Sequence, residues 1–234
     1  METPKRLQKK MKKSLSVTLH WITVFSAASA HAARPFVTDD ARIVERGHCQ
    51  IETFYKRERA YSGSEFWFMP ACNPSGVEIT AGANRVEDEH SLVLQGKTLL
   101  KPLETNGSGY ALSVGTFRVN PHEGRDVWSP YLNGIGSFSF MDDRTVIHAN
   151  LGAIRDGIEH MTRPTWGLGL EALLIAPRLY GIAEMFGQRA DKPTRHLGLR
   201  YWIVPNRVQV DTSVGEQNTE PARRFTSLGL RLLF

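Results

Sequence analysis

The chain has 234 residues, of which 41% are hydrophobic and 23% are charged, and two are cysteines. These fractions exclude a disordered or collagen-like chain, and two cysteines exclude a disulfide-dense scaffold and a four-thiolate zinc site. The formal net charge is +5, but residues 1–32 hold six basic residues and one acidic residue, which leaves 23 of each sign in residues 33–234. Because the excess charge belongs to the beginning of the chain, we expect no nucleic-acid partner.

Residues 1–32 have the three parts of a secretory signal peptide. Residues 1–13 are polar and basic, residues 14–30 form an apolar run, and Ala30 and Ala32 supply the small residues that signal peptidase requires. We therefore expect cleavage near Ala32 and export of the rest of the chain. A single membrane anchor is the alternative, but the apolar run is short and ends in small residues.

No later segment offers the roughly 18 apolar residues that a transmembrane helix needs. The exported chain is therefore either soluble in the periplasm or crosses a membrane as strands.

Apolar residues recur at every second position in twelve segments. At the end of the chain, Leu228, Leu230, Leu232 and Phe234 alternate with polar or small residues, and this period of two predicts a strand. The other clear segments are 77–84, 110–116, 144–152, 166–172, 196–203 and 207–214. The weaker segments are 47–57, 64–72, 90–101, 130–140 and 178–187. The sequence predicts about 12 strands, within a range of 10–14, each about as long as a bilayer-crossing strand.

The composition of the two strand faces favours a membrane barrel over a soluble sandwich. The polar face is rich in Gly, Asn and Ser with single charges of both signs, which suits a narrow lumen, and the apolar face suits lipid. We expect an all-β chain with one antiparallel transmembrane β-barrel over residues 47–234. Residues 33–46 are expected to form a periplasmic segment before it.

Every second connection between the predicted strands is short, and four of these five are tight turns. The short connections are 73–75, 102–106, 141–143, 175–177 and 204–206. The remaining connections, such as 120–129, are mostly longer and highly charged. Short inner turns and long outer loops are typical of the outer membrane of Gram-negative bacteria, so we expect that location.

Cys49 and Cys72 lie in the first two predicted strands. Placing them opposite each other also pairs Ile51 with Pro70 and brings the mostly apolar sides of both strands to one face, as a hairpin requires. The sequence therefore favours a structural disulfide in an oxidising compartment, and two buried free thiols are the alternative.

Charged and polar residues on the inward faces form a candidate lumen site. These residues are Glu52, Lys97, Arg144, His148, Asn150, Glu171, Glu184, Arg200, Arg207, Asp211 and Arg231. The five basic and four acidic residues among them nearly balance, which favours a structural ladder of salt bridges. The functional alternative is a constriction that selects solutes by charge and size.

Short motifs resemble a group of Gram-negative outer-membrane transport proteins associated with the meta-pathway of phenol degradation. The motifs are residues 33–41, 44–48, 95–98 and 148–152. The resemblance implies a barrel of about twelve strands and a channel for small hydrophobic or aromatic compounds. The terminal Phe234, with leucines at alternate positions before it, is similar to the signal that the barrel-assembly machinery reads.

We expect a passive outer-membrane channel or transporter, with membrane lipid, the assembly machinery and an unidentified small solute as partners. We expect no enzyme activity, cofactor or metal. The main alternative is a non-conducting barrel that has a structural role or binds partners through its loops. A second alternative is a lipid hydrolase in which Ser137 or Ser139 acts with His148 and Asn150, as in outer-membrane phospholipases with a Ser-His-Asn arrangement.

Overall fold

The structure, a computed structural model, describes residues 37–59, 63–86, 89–119, 126–189, 191–220 and 222–234. The predicted signal peptide, over residues 1–32, lies outside the described residues. In the part of the chain that the structure describes, no helix has the length and apolar composition of a membrane span.

In the described part of the chain, twelve antiparallel strands form a single closed barrel in which each strand pairs with its neighbours in sequence and β1 pairs with β12. This confirms the predicted all-β fold and strand number. The strands are β1 Cys49–Glu58, β2 Ser64–Cys72, β3 Val77–Val86, β4 Glu89–Lys101, β5 Ser108–Val119, β6 Val127–Phe140, β7 Thr145–Arg155, β8 Thr162–Ile175, β9 Leu179–Gln188, β10 Thr194–Val204, β11 Val208–Gln217 and β12 Arg223–Leu233.

The two faces of the barrel wall have opposite chemistry. Leu151, Leu197 and Val114 on the outer face are 75%, 61% and 57% exposed. On the inner face, Arg200 and Arg231 are 0% and 1% exposed. A water-soluble protein buries its leucines and exposes its arginines, so this inverted arrangement is that of a wall whose outside contacts lipid.

The connections at the two ends of the barrel differ less in length than the sequence suggests. At one end, which we call the turn end, they range from three residues (176–178) to six (102–107). At the other end, the loop end, they range from two residues between Val86 and Glu89 to seven (120–126). The strands continue into segments that were expected to be loops, because backbone pairing persists there.

Local side-chain chemistry shapes the connections. At the turn end, Asn206 adopts a φ of 59° and Gly76 a φ of 100°, conformations that these two residue types tolerate. At the loop end, the carboxylate of Asp156 accepts hydrogen bonds from the backbone N–H groups of Glu159 (3.0 Å) and Ile158 (2.8 Å). These two backbone hydrogen bonds lower the pKa of Asp156.

The predicted disulfide between Cys49 and Cys72 is confirmed, and so is the register of β1 with β2 that places the two cysteines opposite each other. The bridge lies at the turn end. At the same end, Cys49 and Phe234 exchange two backbone hydrogen bonds of 2.8 and 3.0 Å, which close the barrel between its first and last strands.

Candidate functional site

Residues 37–44, which we call the lumen segment, lie inside the barrel. Thr38, Asp40, Ala41 and Val44 are each at most 1% exposed. For residues 37–44 this position differs from the expected periplasmic segment over residues 33–46, of which residues 33–36 lie outside the described residues. The physical reason is that the inner wall offers acceptors and charges that match the peptide N–H groups and side chains of the segment, so its polar groups are satisfied without water.

Wall side chains bind the backbone of the lumen segment from the turn end upward. The N–H of Val44 donates to Glu78 on β3 (2.7 Å), and the N–H of Ala41 donates to the hydroxyl of Ser137 on β6 (2.8 Å).

Higher in the barrel, the N–H of Asp39 donates to the side-chain oxygen of Asn150 on β7 (2.7 Å), and the amide nitrogen of Asn150 donates back to the Asp39 carbonyl (2.8 Å). The carboxylate of Glu184 on β9 accepts the N–H of Thr38 at 2.8 Å. These contacts fix the segment to several different strands, so it spans the lumen rather than lining one side.

Charge pairs add to these backbone contacts. Lys97 on β4 lies 2.7 Å from the carboxylate of Asp39 and 3.5 Å from that of Asp40. Arg42 lies 3.5 Å from Asp40 and 3.5 Å from Glu171 on β8. The lumen segment therefore supplies the carboxylates that pair with the buried Lys97 and adds a second cation beside Glu171.

A second set of charges pairs within the wall. Arg200 on β10 binds Glu171 on β8 and lies 3.1 Å from Asp211 on β11. The side-chain amide of Gln209 donates to Asp211 at 2.8 Å. On the side where the barrel closes, Arg231 on β12 lies 3.4 Å from Glu52 on β1 and also donates to Gln50.

Nine of the eleven residues predicted to face the lumen are buried on the inner wall. They are Glu52, Lys97, His148, Asn150, Glu171, Glu184, Arg200, Asp211 and Arg231. Their role in a constriction stays a prediction.

Arg144 and Arg207 do not lie in the lumen. Both are exposed in turns, where their backbone N–H groups donate to Met141 (3.2 Å) and Val204 (3.0 Å). The alternating sequence pattern extends one residue beyond the strands at these two positions, because β7 and β11 begin at the residues that follow them.

Several lumen residues were absent from the predicted set. Glu78 binds the lumen segment, and His196 lies 2.5 Å from the carboxylate of Glu184. Both occupy the inward positions of clearly alternating segments, so the pattern itself contained the signal that could have found them. The described residues below the loop-end rim include six buried acidic and four buried basic side chains. Acidic side chains therefore outnumber basic ones in the lumen, whereas the sequence predicted a near balance.

Ser137 and His148 form a hydrogen bond of 2.8 Å, but the surroundings differ from those of a lipid hydrolase. They are 0% and 1% exposed, and the Ser137 hydroxyl also accepts the Ala41 N–H. Asn150 binds Asp39 and Asn133. Ser139 instead binds Asp143 at the turn end. The Ser137–His148 pair thus lies under the lumen segment, away from the lipid-facing surface.

Two adjoining cavities of about 360 and 370 Å³ occupy the loop-end half of the lumen, and we call them the vestibule. They share Val37, Phe117 and Phe186, so Val37 at the top of the lumen segment contributes to both. Among the residues that the structure describes, seven aromatic side chains line the vestibule: Phe54, Trp67, Phe117, Tyr131, Trp166, Phe186 and Phe225.

Ion pairs surround the loop-end part of the vestibule. Lys56 lies 3.1 Å from Glu58 and 3.0 Å from Glu65, and Arg223 lies 2.8 Å from Glu58. The vestibule therefore combines aromatic surfaces with a charged rim, a combination that can orient a small molecule. Within the described residues, no three His, Cys, Asp or Glu side chains group closely enough to hold a metal ion.

Comparison with known proteins supports the fold and assigns the family. No curated protein matches the chain. The outer membrane protein Omp33 of Acinetobacter baumannii is similar in structure, with a TM-score of 0.51 and 10% identity over 80% of this chain and 98% of that chain. A membrane protein from a study of in-meso crystallisation gives a TM-score of 0.53 and 13% identity over 80% of this chain and 84% of that chain. The model of one family matches residues 21–234, and the chain therefore belongs to the family described as uncharacterised conserved protein UCP029691.

Proposed function

We propose that the protein is a channel of the Gram-negative outer membrane that passes small solutes. The lumen segment keeps this channel closed. The vestibule carries this proposal. It is a cavity inside a lipid-facing barrel, and its floor is the lumen segment rather than the barrel wall. The short connections would lie in the periplasm and the loop end outside the cell. A signal peptide cleaved near Ala32 is part of the proposal.

The lining of the vestibule supports a small aromatic or hydrophobic solute. Its two cavities are at the lower end of the size range of small-molecule sites, and aromatic side chains line both of them. The short motifs that resemble proteins associated with the meta-pathway of phenol degradation agree with this class of solute. Phe54 stacks on Trp67 with ring centroids 5.6 Å apart, which offers a flat apolar surface to a planar guest.

A non-conducting barrel is the second candidate. The extensive pairing between the lumen segment and the wall favours it, because each broken contact leaves a buried polar group without a partner. A lipid hydrolase has less support, since Ser137 and His148 lie beneath Ala41. The proposal includes no enzyme activity.

Single-channel recording in planar bilayers tests the channel directly. We expect rare openings in KCl, and we expect neutral benzamide to reduce the open current more than acetamide at equal concentration, because only benzamide can stack in the vestibule. The variants Phe117→Ala and Phe186→Ala should weaken the block by benzamide. Phe140→Ala is the matched control because Phe140 is 47% exposed on the outer face near the turn end.

A barrel that inserts and yet never conducts, in the wild type and in a variant that releases the lumen segment, would contradict the channel. Measurable phospholipid hydrolysis by the wild type that is lost in His148→Ala would contradict the absence of enzyme activity. A role of Leu228, Leu230, Leu232 and Phe234 as an assembly signal stays a proposal. All four face outward and are exposed, which makes them accessible to a partner.

A further inference from the structure

Four outward-facing arginines form a patch at the loop end of the barrel. Arg195 lies on β10, Arg224 on β12, and Arg57 and Arg59 on and just after β1. All four are exposed, and they alternate with inward residues such as His196 and Glu58. We call these four residues, together with Glu216 on β11, the arginine patch.

The strand register makes the patch continuous. Glu216 lies opposite Arg195 on one side and opposite Arg224 on the other. The backbone N–H of Arg59 donates to the Arg224 carbonyl at 2.9 Å, so these two residues are also neighbours. Because adjacent strands are about 4.8 Å apart, the patch extends over about 15 Å around the barrel.

The charges of the patch are not balanced. Arg224 lies 2.7 Å from Glu216, and this is the ion pair that the patch contains. Arg57, Arg59 and Arg195 form no ion pair with any residue that the structure describes. Four guanidinium groups and one carboxylate give a formal charge of +3, directly above the lipid-facing surface.

An apolar groove of about 520 Å³ begins below Arg195 on the same outer face. Its floor is formed by the small residues Gly181 and Ala183 on β9. Ala183 lies opposite Leu170 on β8 and opposite Leu197 on β10, so two leucines form the walls.

The groove follows β9 towards the turn end. Leu199, two residues beyond Leu197, lies opposite Gly181. From Leu197 to Leu199 the lining of the groove extends about 7 Å at the rise of a strand, and Arg195 lies about another 7 Å along β10. The groove can therefore contact one part of an acyl chain whose headgroup lies at the patch.

We propose that the arginine patch and the groove together bind a phosphorylated, multiply acylated lipid of the lipid A type from the outer leaflet. A guanidinium group binds a phosphate through two parallel hydrogen bonds, and several of them side by side suit a headgroup with more than one phosphate. The groove accepts one acyl chain, and the remaining chains stay in the bilayer. This inference rests on the outer-membrane location given under the proposed function, but it does not depend on conduction.

The turn end provides a matched control. Arg144 and Arg207 are also exposed, but they lie in turns rather than on an outward strand face. Substituting glutamine for these two arginines removes the same amount of charge and leaves the arginine patch unchanged.

Lipid binding to the full chain in phosphatidylcholine nanodiscs tests the proposal, with fluorescent lipid A as the probe. We expect the double variant Arg195→Gln/Arg224→Gln to weaken binding at least about tenfold, while Arg144→Gln/Arg207→Gln leaves it unchanged. Dephosphorylated lipid A should bind the wild type as weakly as lipid A binds the double variant. Ala183→Leu, which fills the groove, should weaken the binding of lipid A. It should leave the binding of phosphate by the arginine patch unchanged.

Equal binding of lipid A and dephosphorylated lipid A would overturn the proposal, and so would equal loss in the two double variants. Equal affinity for phosphatidylglycerol would overturn the assignment to a lipid A headgroup. Folding of each variant is checked by heat-modifiable migration on gels. A barrel that binds lipid A but stays electrically silent would support this inference and contradict the channel, so the two proposals fail separately.

Discussion

Lys97 on the barrel wall and Asp39 in the lumen segment form an ion pair of 2.7 Å, and Lys97 is 4% exposed. This contact joins two parts of the chain that lie 58 residues apart. Its position makes Lys97 a principal contact between the wall and the segment that fills the lumen.

Lys97→Met should open the barrel more often. The substitution leaves the Asp39 and Asp40 carboxylates without this partner, and removal of one member of a buried pair costs about 3 kcal/mol. That free energy is enough to shift the ratio of closed to open states by about 100-fold. Open probability in planar bilayers measures the effect. Arg144→Met is the control, and equal open probability in the two variants would contradict a closing role for the lumen segment.

Any open state should prefer cations. The buried acids of the described lumen outnumber the buried bases, and lumen charges of one sign raise the local concentration of the opposite ion. In a KCl gradient, the reversal potential of Lys97→Met should therefore move towards that of K⁺. A shift towards the Cl⁻ potential would show that the lumen charges are not those that the passing ion meets.

Arg200→Met should destabilise the barrel. Arg200 binds Glu171 and Asp211, so its loss leaves two buried carboxylates with fewer partners. We expect the free energy of unfolding in urea to fall by about 3–5 kcal/mol. Arg207→Met, at an exposed turn position, should change it little. If the two variants were equally stable, the charges inside the wall would not be essential to the fold.

Val114→Arg tests whether the outer face contacts lipid. Val114 is 57% exposed near the middle of β5, so in a bilayer an arginine there would lie in the hydrocarbon layer. We expect insertion into lipid vesicles to become less favourable by about 2–4 kcal/mol. Met141→Arg, at a turn position that is 72% exposed, is the control and should insert normally. Normal insertion of both variants would argue against a membrane-spanning wall.

Removal of the disulfide should weaken the barrel without preventing its closure. Cys49 and Cys72 are 23 residues apart, and a bridge over such a loop contributes about 3 kcal/mol. The strands it joins are also paired through their backbones, so Cys49→Ser/Cys72→Ser should still fold. Urea unfolding with and without reductant measures the difference, and reductant should have no effect on the double variant.

The strands and their faces could be predicted because lipid outside and paired charge inside impose a period of two on the sequence. Even the register of the first hairpin followed from placing Cys49 opposite Cys72. Positions at strand ends were harder, because Arg144 and Arg207 continue the pattern by one residue into turns that no longer face inward.

The lumen segment could not be predicted from its own residues. Thr38, Asp39, Asp40 and Arg42 have the polar composition of a solvated segment, and no periodicity marks their environment. Their burial depends on partners as distant in sequence as Glu184, and such complementarity becomes visible only when the barrel is assembled.

The chain enters the bore beside the seam where Cys49 meets Phe234. The lumen segment therefore leaves the lumen at the same end of the barrel as the contact between the first and last strands. A fusion after Phe234 would alter the residue at the seam. A purification handle for biochemical work therefore belongs in a connection such as 156–161.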